Sequence, residues 1–182
     1  MTKQPGGNAF PAAGLLAALI LGASPAFADG NTPAIVRHPT TPPGIILQAV
    51  TIPPGAETLV ISGQVPVPLV PGANNSFEAF GDTKVQSEGV FRRIEAILIQ
   101  RGWTMADVVK LQVFLVGDPK LEGRMDFAGF NAAYRQFFGT TANPNLVART
   151  TMQIAGLANP YFLVEIEATA ARMPSGAAAA AR

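Results

Sequence analysis

The chain has 182 residues, with 13 Lys and Arg against 12 Asp and Glu, so its formal net charge is +1. This length allows one domain with a sizeable core plus short extensions. The balanced charge lacks the clustered cations of a nucleic-acid-binding surface, so we expect no nucleic-acid partner. With no cysteine and one histidine, His38, the sequence excludes a disulfide framework and a catalytic thiol. It also argues against a metal site and a Ser-His-Asp triad.

Residues 1–28 have the three parts of a secretory signal peptide. Lys3 precedes an apolar run from about residue 11 to 22, and residues 25–28 end in an A-x-A cleavage pattern. The apolar run is shorter than the about 20 residues that a comfortable membrane span needs. We therefore expect a cleaved signal and a periplasmic or secreted protein without a membrane contact. An uncleaved membrane anchor is the alternative.

The first half of the mature chain predicts a lead-in followed by two strands. Residues 29–44 are rich in Pro and Thr, which indicates an extended lead-in with His38 at the surface. Residues 45–50 and 58–65 are apolar runs typical of strands, and Gly63 in the second marks a place where backbone or ligand comes close. Residues 66–81, broken by Pro and Gly, predict a loop.

The middle of the chain predicts a helix, a strand and a second helix. Asp82 or Thr83 can cap a helix that runs to about Arg101, because the apolar positions that follow have helical spacing. Residues 107–116 contain a strand, and residues 125–138 predict the second helix. The aromatic side chains of that helix indicate a buried face rather than a cofactor site; they are Phe127, Phe130, Tyr134, Phe137 and Phe138. Residues 174–182 form an Ala-rich tail that we expect to be disordered.

The two closing strands carry the residues with the most chemical interest. In residues 147–157, Arg149 shares one face with Thr151 and Gln153, while Glu165 and Glu167 share a face in residues 162–170. Residues 158–160 suit a turn between neighbouring antiparallel strands. This interpretation predicts Arg149 and both carboxylates on one polar sheet face, as an anion and acid–base site. A cross-strand ion pair or a contact between subunits is the alternative for the same residues.

The elements follow the order β-β-α-β-α-β-β, which predicts an α+β domain in residues 45–173. Two helices are enough to cover one face of a five-stranded sheet. The other face is half polar, and an uncovered face of this kind invites a partner subunit.

Five segments, in matching order and spacing, carry a family resemblance. They are residues 62–66 (SGQVP), 95–110 (EAIL…G…DVVK), 130–138 (FNAAYRQFF), 148–151 (ARTT) and 164–168 (VEIEA). They resemble motifs of the YjgF/YER057c/UK114 family, also called the Rid (reactive intermediate deaminase) family. The resemblance implies a chorismate-mutase-like α+β fold with two helices on one face, and three subunits that form a barrel with ligand clefts between neighbours.

The family's characterised enzymes hydrolyse small enamines and 2-imino acids to 2-keto acids and ammonia without a cofactor. The resemblance implies that Arg149 holds the substrate carboxylate and that Glu165 activates water or moves protons. Ser62 and Gly63 would line the cleft with Thr151 and Asn131. For Ser62 and Gly63 the alternative is a packing point in a strand, and for Asn131 a hydrogen bond within helix packing; Glu167 is interpreted as structural.

Two departures from the family pattern bear on activity. The family usually has Pro-Ala-Arg before the closing strands, where this chain has Val147-Ala148-Arg149. The characterised deaminases have a tyrosine two residues before the glutamine of the first strand, where this chain has Ile46. The alternative function is therefore a non-catalytic protein that binds small carboxylates or a partner on the same fold. A ribonuclease or translation-inhibitor role, assigned to some relatives, fits poorly with the neutral charge and the export signal.

Overall fold

The computed structural model describes residues 33–174. The predicted signal peptide and all but the first residue of the predicted tail lie outside this range. Within residues 33–174, no helix is long and apolar enough to cross a membrane.

In the part of the chain that the structure describes, one sheet of six strands forms the frame of the domain. The strands are β1 Val36–Pro39, β2 Leu47–Thr51, β3 Glu57–Gln64, β4 Val108–Val116, β5 Ala148–Ile154 and β6 Val164–Arg172. Their order across the sheet is β1-β2-β5-β4-β6-β3. The central strand β4 is parallel to β5 and antiparallel to β6, and β3 pairs with β6 in antiparallel register.

Within residues 33–174, three α-helices accompany the sheet, namely α1 Phe77–Phe80, α2 Thr83–Gln100 and α3 Phe127–Tyr134. Helix α2 begins as predicted, because the Asp82 carboxylate accepts a hydrogen bond of 2.9 Å from the Val85 backbone N–H. Helix α3 is shorter than the predicted 125–138: it ends at Tyr134, and the chain continues to Phe138 through hydrogen-bonded turns. Short α1 is an addition inside the predicted loop.

The core lies between one sheet face and the helices α2 and α3. Alternate residues of β4 and β6, including Leu111, Val113 and Ile166, are fully buried against apolar side chains of both helices. The predicted aromatic stripe is confirmed as core for Phe130, Tyr134 and Phe138, which are at most 2% exposed, and Phe137 packs partly buried against them. Phe127, at 43% exposure, is the exception.

Two features of the sheet differ from the sequence interpretation. The closing strands are not a hairpin, because β4 lies between β5 and β6. The predicted lead-in contains β1, an additional strand that pairs with β2. The Arg37 guanidinium fixes this strand by donating hydrogen bonds to the carbonyls of Ala106, Val108 and Leu146, at 2.6–3.0 Å. The α+β class and the order of the seven predicted elements are confirmed.

Candidate functional site

The register of the central strands decides which side chains can share a site. Arg149 lies beside Leu111 and Thr151 beside Val113, and both of these β4 residues are buried in the core. Neighbouring residues in register point to the same side of a sheet, so Arg149 and Thr151 face the helix-covered side.

The two carboxylates face the other way. Glu165 lies beside Phe114, and Glu167 lies beside Gln112, on the open side of the sheet. The predicted common polar face of Arg149, Glu165 and Glu167 is therefore wrong. Alternation along a strand shows which of its own residues share a face. The prediction that β5 and β6 share a polar face depended on a hairpin between them, and this is wrong because β4 separates the two strands.

Arg149 rests on aromatic rings rather than on an acidic partner. Its Cζ atom lies 4.7 Å from the ring centroid of Tyr134, 5.0 Å from that of Phe130 and 5.6 Å from that of Phe127. Burial lowers the pKa of Arg149, although a guanidinium stays charged in proteins. No carboxylate within residues 33–174 forms a salt bridge with it, and its buried Nη1 atom has no hydrogen-bond partner there.

Two further predicted residues lie on the Arg149 side. Asn131 occupies the same face of α3 as Phe127 and Tyr134, because residues three and four apart are neighbours on a helix. Its buried Oδ1 atom, like the buried Oγ1 of Thr151, has no hydrogen-bond partner in the described chain. Buried polar atoms are nearly always paired in folded proteins. Arg149, Asn131 and Thr151 therefore lie on one side of the sheet and each has a buried polar atom without a partner in the described chain.

Ser62, Gly63 and Glu165 form a second group, on the open side. The pairing of β3 with β6 shifts register between Ile61 and Gln64, and a Cβ atom on Gly63 would overlap the Glu165 carboxylate. The close approach that the sequence predicted at Gly63 is therefore made by Glu165. Because Gly63 lacks a side chain, that carboxylate lies directly against the β3 backbone.

A pocket of about 320 Å³ adjoins this second group. Its lining includes Ser62 and Gly63 together with Lys110, Gln112 and Glu167. Glu167 accepts a hydrogen bond of 2.5 Å from the Gln112 amide. This contact supports the structural interpretation of Glu167, whose carboxylate is already engaged by its neighbour.

The six predicted site residues thus form two groups on opposite faces of one sheet. Sequence reasoning missed the aromatic rings under Arg149, although the spacing of Phe127, Phe130 and Tyr134 had placed them on one helix face. Ile46 is partly buried and packs against the core. Within residues 33–174 there is no cluster of three metal-ligating side chains, and exposed His38 contacts the Thr51 hydroxyl at 2.9 Å.

Comparison with known proteins relates this geometry to a family. The family model described as Endoribonuclease L-PSP matches residues 48–172. The chain belongs to this family, the YjgF/YER057c/UK114 or Rid family. A RutC family protein of Haemophilus influenzae is 34% identical over 129 residues, which cover 71% of this chain and 88% of the relative.

Two other Rid-family relatives add to the comparison. TdcF of Escherichia coli K12, whose name describes a proposed reactive intermediate deaminase, is 32% identical over 61% of this chain and 76% of its own. The crystal structure of YyfB from Yersinia pestis, a Rid family protein of unknown function, has a TM-score of 0.51 and 29% identity. That comparison covers 69% of this chain and 86% of YyfB. The family assignment from the sequence motifs is confirmed.

Proposed function

We propose that this Rid-family protein hydrolyses small enamines and 2-imino acids to 2-keto acids and ammonia, in clefts between copies of the chain in a homotrimer. The observation that carries the proposal is Arg149, a partly buried cation that rests on aromatic rings and has no acidic partner among residues 33–174. The name of the relative TdcF supports the same reaction class.

Arg149 would bind the substrate carboxylate. A guanidinium can form two parallel hydrogen bonds with a carboxylate, and the aromatic rings beside it exclude water and strengthen the ion pair. The unpaired Oδ1 of Asn131 is an acceptor for an iminium N–H, and the Thr151 hydroxyl can donate to a carboxylate oxygen. These three groups match a molecule that carries both a carboxylate and a protonated nitrogen.

Glu165 would move the protons. As a general base it takes a proton from water while the water oxygen bonds to the imine carbon, which gives a carbinolamine. It then delivers that proton to the amino nitrogen. The carboxylate next takes the hydroxyl proton of the carbinolamine as the C=O bond forms and the C–N bond breaks, and ammonia leaves and carries this proton away as ammonium. An enamine first accepts a proton at its terminal carbon and so becomes the protonated imine. A protonated imine carbon is already electrophilic, so the proposed reaction uses no cofactor.

The location of the two groups supports a site shared between copies. Arg149 and Glu165 face opposite sides of the same sheet, so one chain cannot bring both to one substrate. A cleft that contains both would combine Arg149 of one copy with Glu165 of a neighbour. The open sheet face also exposes Val60 (76%) and Met152 (42%), apolar surface that a neighbouring copy would cover.

Imine trapping tests the reaction. An amino-acid oxidase generates 2-imino acids, semicarbazide traps what is not hydrolysed, and purified protein beginning at Asp29 is added. We expect the parent to suppress semicarbazone formation, and Arg149→Ala and Glu165→Gln to lose that effect by about 100-fold or more. A parent that leaves semicarbazone formation unchanged with every amino acid tried would refute the deaminase proposal.

Mixed assemblies test the shared cleft. Arg149→Ala and Glu165→Gln chains are unfolded together and refolded as a mixture, with each variant refolded alone as the control. If each site draws Arg149 and Glu165 from different copies, about one quarter of the sites in the mixture have both residues. Activity well above that of either variant alone is the expected result. No gain on mixing would place both residues' contributions within a single chain, against the geometry.

A second candidate function is non-catalytic binding of small carboxylates. Ile46 favours it, because this partly buried apolar side chain supplies no hydroxyl where the characterised deaminases have tyrosine. Under this alternative, the parent binds 2-oxobutyrate through Arg149 but hydrolyses no imine. Calorimetric titration of parent and Arg149→Ala, beside the trapping assay, separates the two functions.

A further inference from the structure

The loop of residues 117–126, which leads from β4 into α3, is tied to β5 by one side chain. The Gln153 amide donates a hydrogen bond of 2.8 Å to the Gly123 carbonyl, and its Oε1 accepts one of 2.9 Å from the Met125 backbone N–H. One glutamine thus uses both its donor and its acceptor to fix two points of the loop.

The same loop is also folded closely on itself. The Asp118 N–H donates to the Arg124 carbonyl at 2.9 Å, and a Cβ atom on Gly117 would overlap the Gly123 carbonyl. The loop therefore has its present path only while residue 117 lacks a side chain.

The end of the loop determines where α3 begins. Met125, held by Gln153, is two residues before Phe127, and the intervening Asp126 caps the helix by accepting a 2.8 Å hydrogen bond from Gly129. The Phe127 ring is one of the three that contact the Arg149 guanidinium. Met125 is therefore close enough along the chain for its location to affect that of this ring.

Gln153 and Arg149 also belong to the same strand face. Gln153 lies beside Leu115 and Arg149 beside Leu111, so both point to the helix-covered side of β5. A single strand therefore presents the cation and, four residues later, the amide that is bonded to the loop before α3.

We propose that Gln153 is a positioning residue, which sets the carboxylate affinity of Arg149 by fixing the loop and hence Phe127. The proposal rests on the proposed function only in assigning Arg149 to a carboxylate, whether or not hydrolysis follows. Gln153 itself touches no substrate. Both the amide donor and the carbonyl acceptor contribute to this role.

The variants follow from these two bonds. Gln153→Leu removes both, and we expect KM for 2-imino acids and Kd for 2-oxobutyrate to rise about 10-fold, with kcat within about 2-fold. Gln153→Glu keeps the acceptor for Met125 and should have an intermediate effect. Gly117→Ala, which displaces the loop from the other side, should weaken binding in the same direction.

Gln136→Leu is the matched control. The Gln136 amide donates to Glu88 on α2, away from this loop, so the same chemical change there should leave Kd unchanged. Thermal unfolding of every variant shows whether the fold is retained. If Gln153→Leu does not fold, Gly117→Ala and Gln153→Glu provide the test.

The outcomes separate this inference from the proposed function. A parent that binds 2-oxobutyrate without hydrolysing imines refutes hydrolysis but leaves the Gln153 comparison intact in the binding data. Folded Gln153→Leu and Gly117→Ala proteins with parental Kd would overturn the positioning role. A parent that binds no carboxylate would overturn it as well, because no affinity would then remain for Gln153 to set.

Discussion

Arg37 and Arg149 are both partly buried, and burial lowers the pKa of each guanidinium. Their surroundings differ. Arg37 donates to three backbone carbonyls of other segments, whereas Arg149 lies on three aromatic rings and leaves its buried Nη1 unpaired within the described chain. A buried charge that is fully hydrogen-bonded stabilises the fold, and one without a partner is a cost that the fold tolerates. The comparison supports a stabilising role for Arg37 and the proposed ligand role of Arg149.

The largest expected effect is that of Arg149→Met, which keeps an apolar side chain against the rings. We expect kcat/KM for imine hydrolysis to fall by about 100- to 1,000-fold, equivalent to about 3 to 4 kcal/mol of transition-state stabilisation. The free energy of unfolding should stay the same or rise slightly, since the variant removes an unpaired charge. Enzyme kinetics and denaturant titration measure the two quantities. A large loss of stability with retained activity would reverse the assignment.

Arg37→Met should lower stability and leave activity nearly unchanged, which is the opposite of the result expected for Arg149→Met. Losing the guanidinium leaves the carbonyls of Ala106, Val108 and Leu146 without these donors, so the free energy of unfolding should fall by about 3 kcal/mol. Among folded molecules, kcat/KM should change little. Urea denaturation, with kinetics measured well below the transition, checks both. If Arg37→Met has the same free energy of unfolding as the parent, the three hydrogen bonds of Arg37 make no net contribution to stability.

Ligand-linked stability separates the two arginines in one experiment. At a 2-oxobutyrate concentration of ten times Kd, the parent should gain about 1.4 kcal/mol against unfolding. In Arg37→Met the ligand should raise the free energy of unfolding by the same amount, although the value without ligand is lower than that of the parent. In Arg149→Met the ligand should not raise it. Thermal shift at matched protein concentration follows all three, with chloride at equal ionic strength as the salt control. A ligand-induced shift in Arg149→Met would place the carboxylate elsewhere.

The smallest expected effect is that of Gly63→Ala, beside Glu165 on the open side of the sheet. In Gly63→Ala the new Cβ displaces the flexible end of Glu165, so stability should fall by less than about 1 kcal/mol while hydrolysis falls about 10-fold. Gly89→Ala is the control: a Cβ there meets nothing within 4 Å, and alanine within α2 should stabilise by about 0.5 to 1 kcal/mol. Parental activity in Gly63→Ala would show that the location of Glu165 is not critical.

Local sequence patterns predicted the elements well because they report local physics. The capping carboxylate of Asp82 and the helical spacing after it located α2 to within a residue, and the apolar run of β4 located a central strand. Strand β1 was missed because four residues with Pro39 and His38 carry no period-two apolar pattern. Its stability depends on Arg37 contacts with segments about 70 and 109 positions away, which no local pattern contains.

The sequence named candidate site residues but did not indicate how they are arranged. Arg149, Thr151 and Asn131 do lie on one side, as do Ser62, Gly63 and Glu165. To know which face of β6 matches which face of β5, one needs the order of the strands in the sheet. Residues 155–163 connect β5 to β6 across β4, so the two strands do not form a hairpin. That order depends on the burial of the whole sheet against α2 and α3, not on either strand's alternation.

The β1–β2 ribbon is joined to the rest of the sheet at very few points. Its ladder to β5 is the single pair of Leu47 with Ala148, supported by the bond from the Leu47 N–H to the Val147 carbonyl and by Arg37. We expect such a ribbon to open at a free energy below that of global unfolding, so that its amide protons exchange before those of β4 and β6. Because Arg149 directly follows Ala148, the proposed anion-binding residue lies next to the one pair that joins this ribbon to β5.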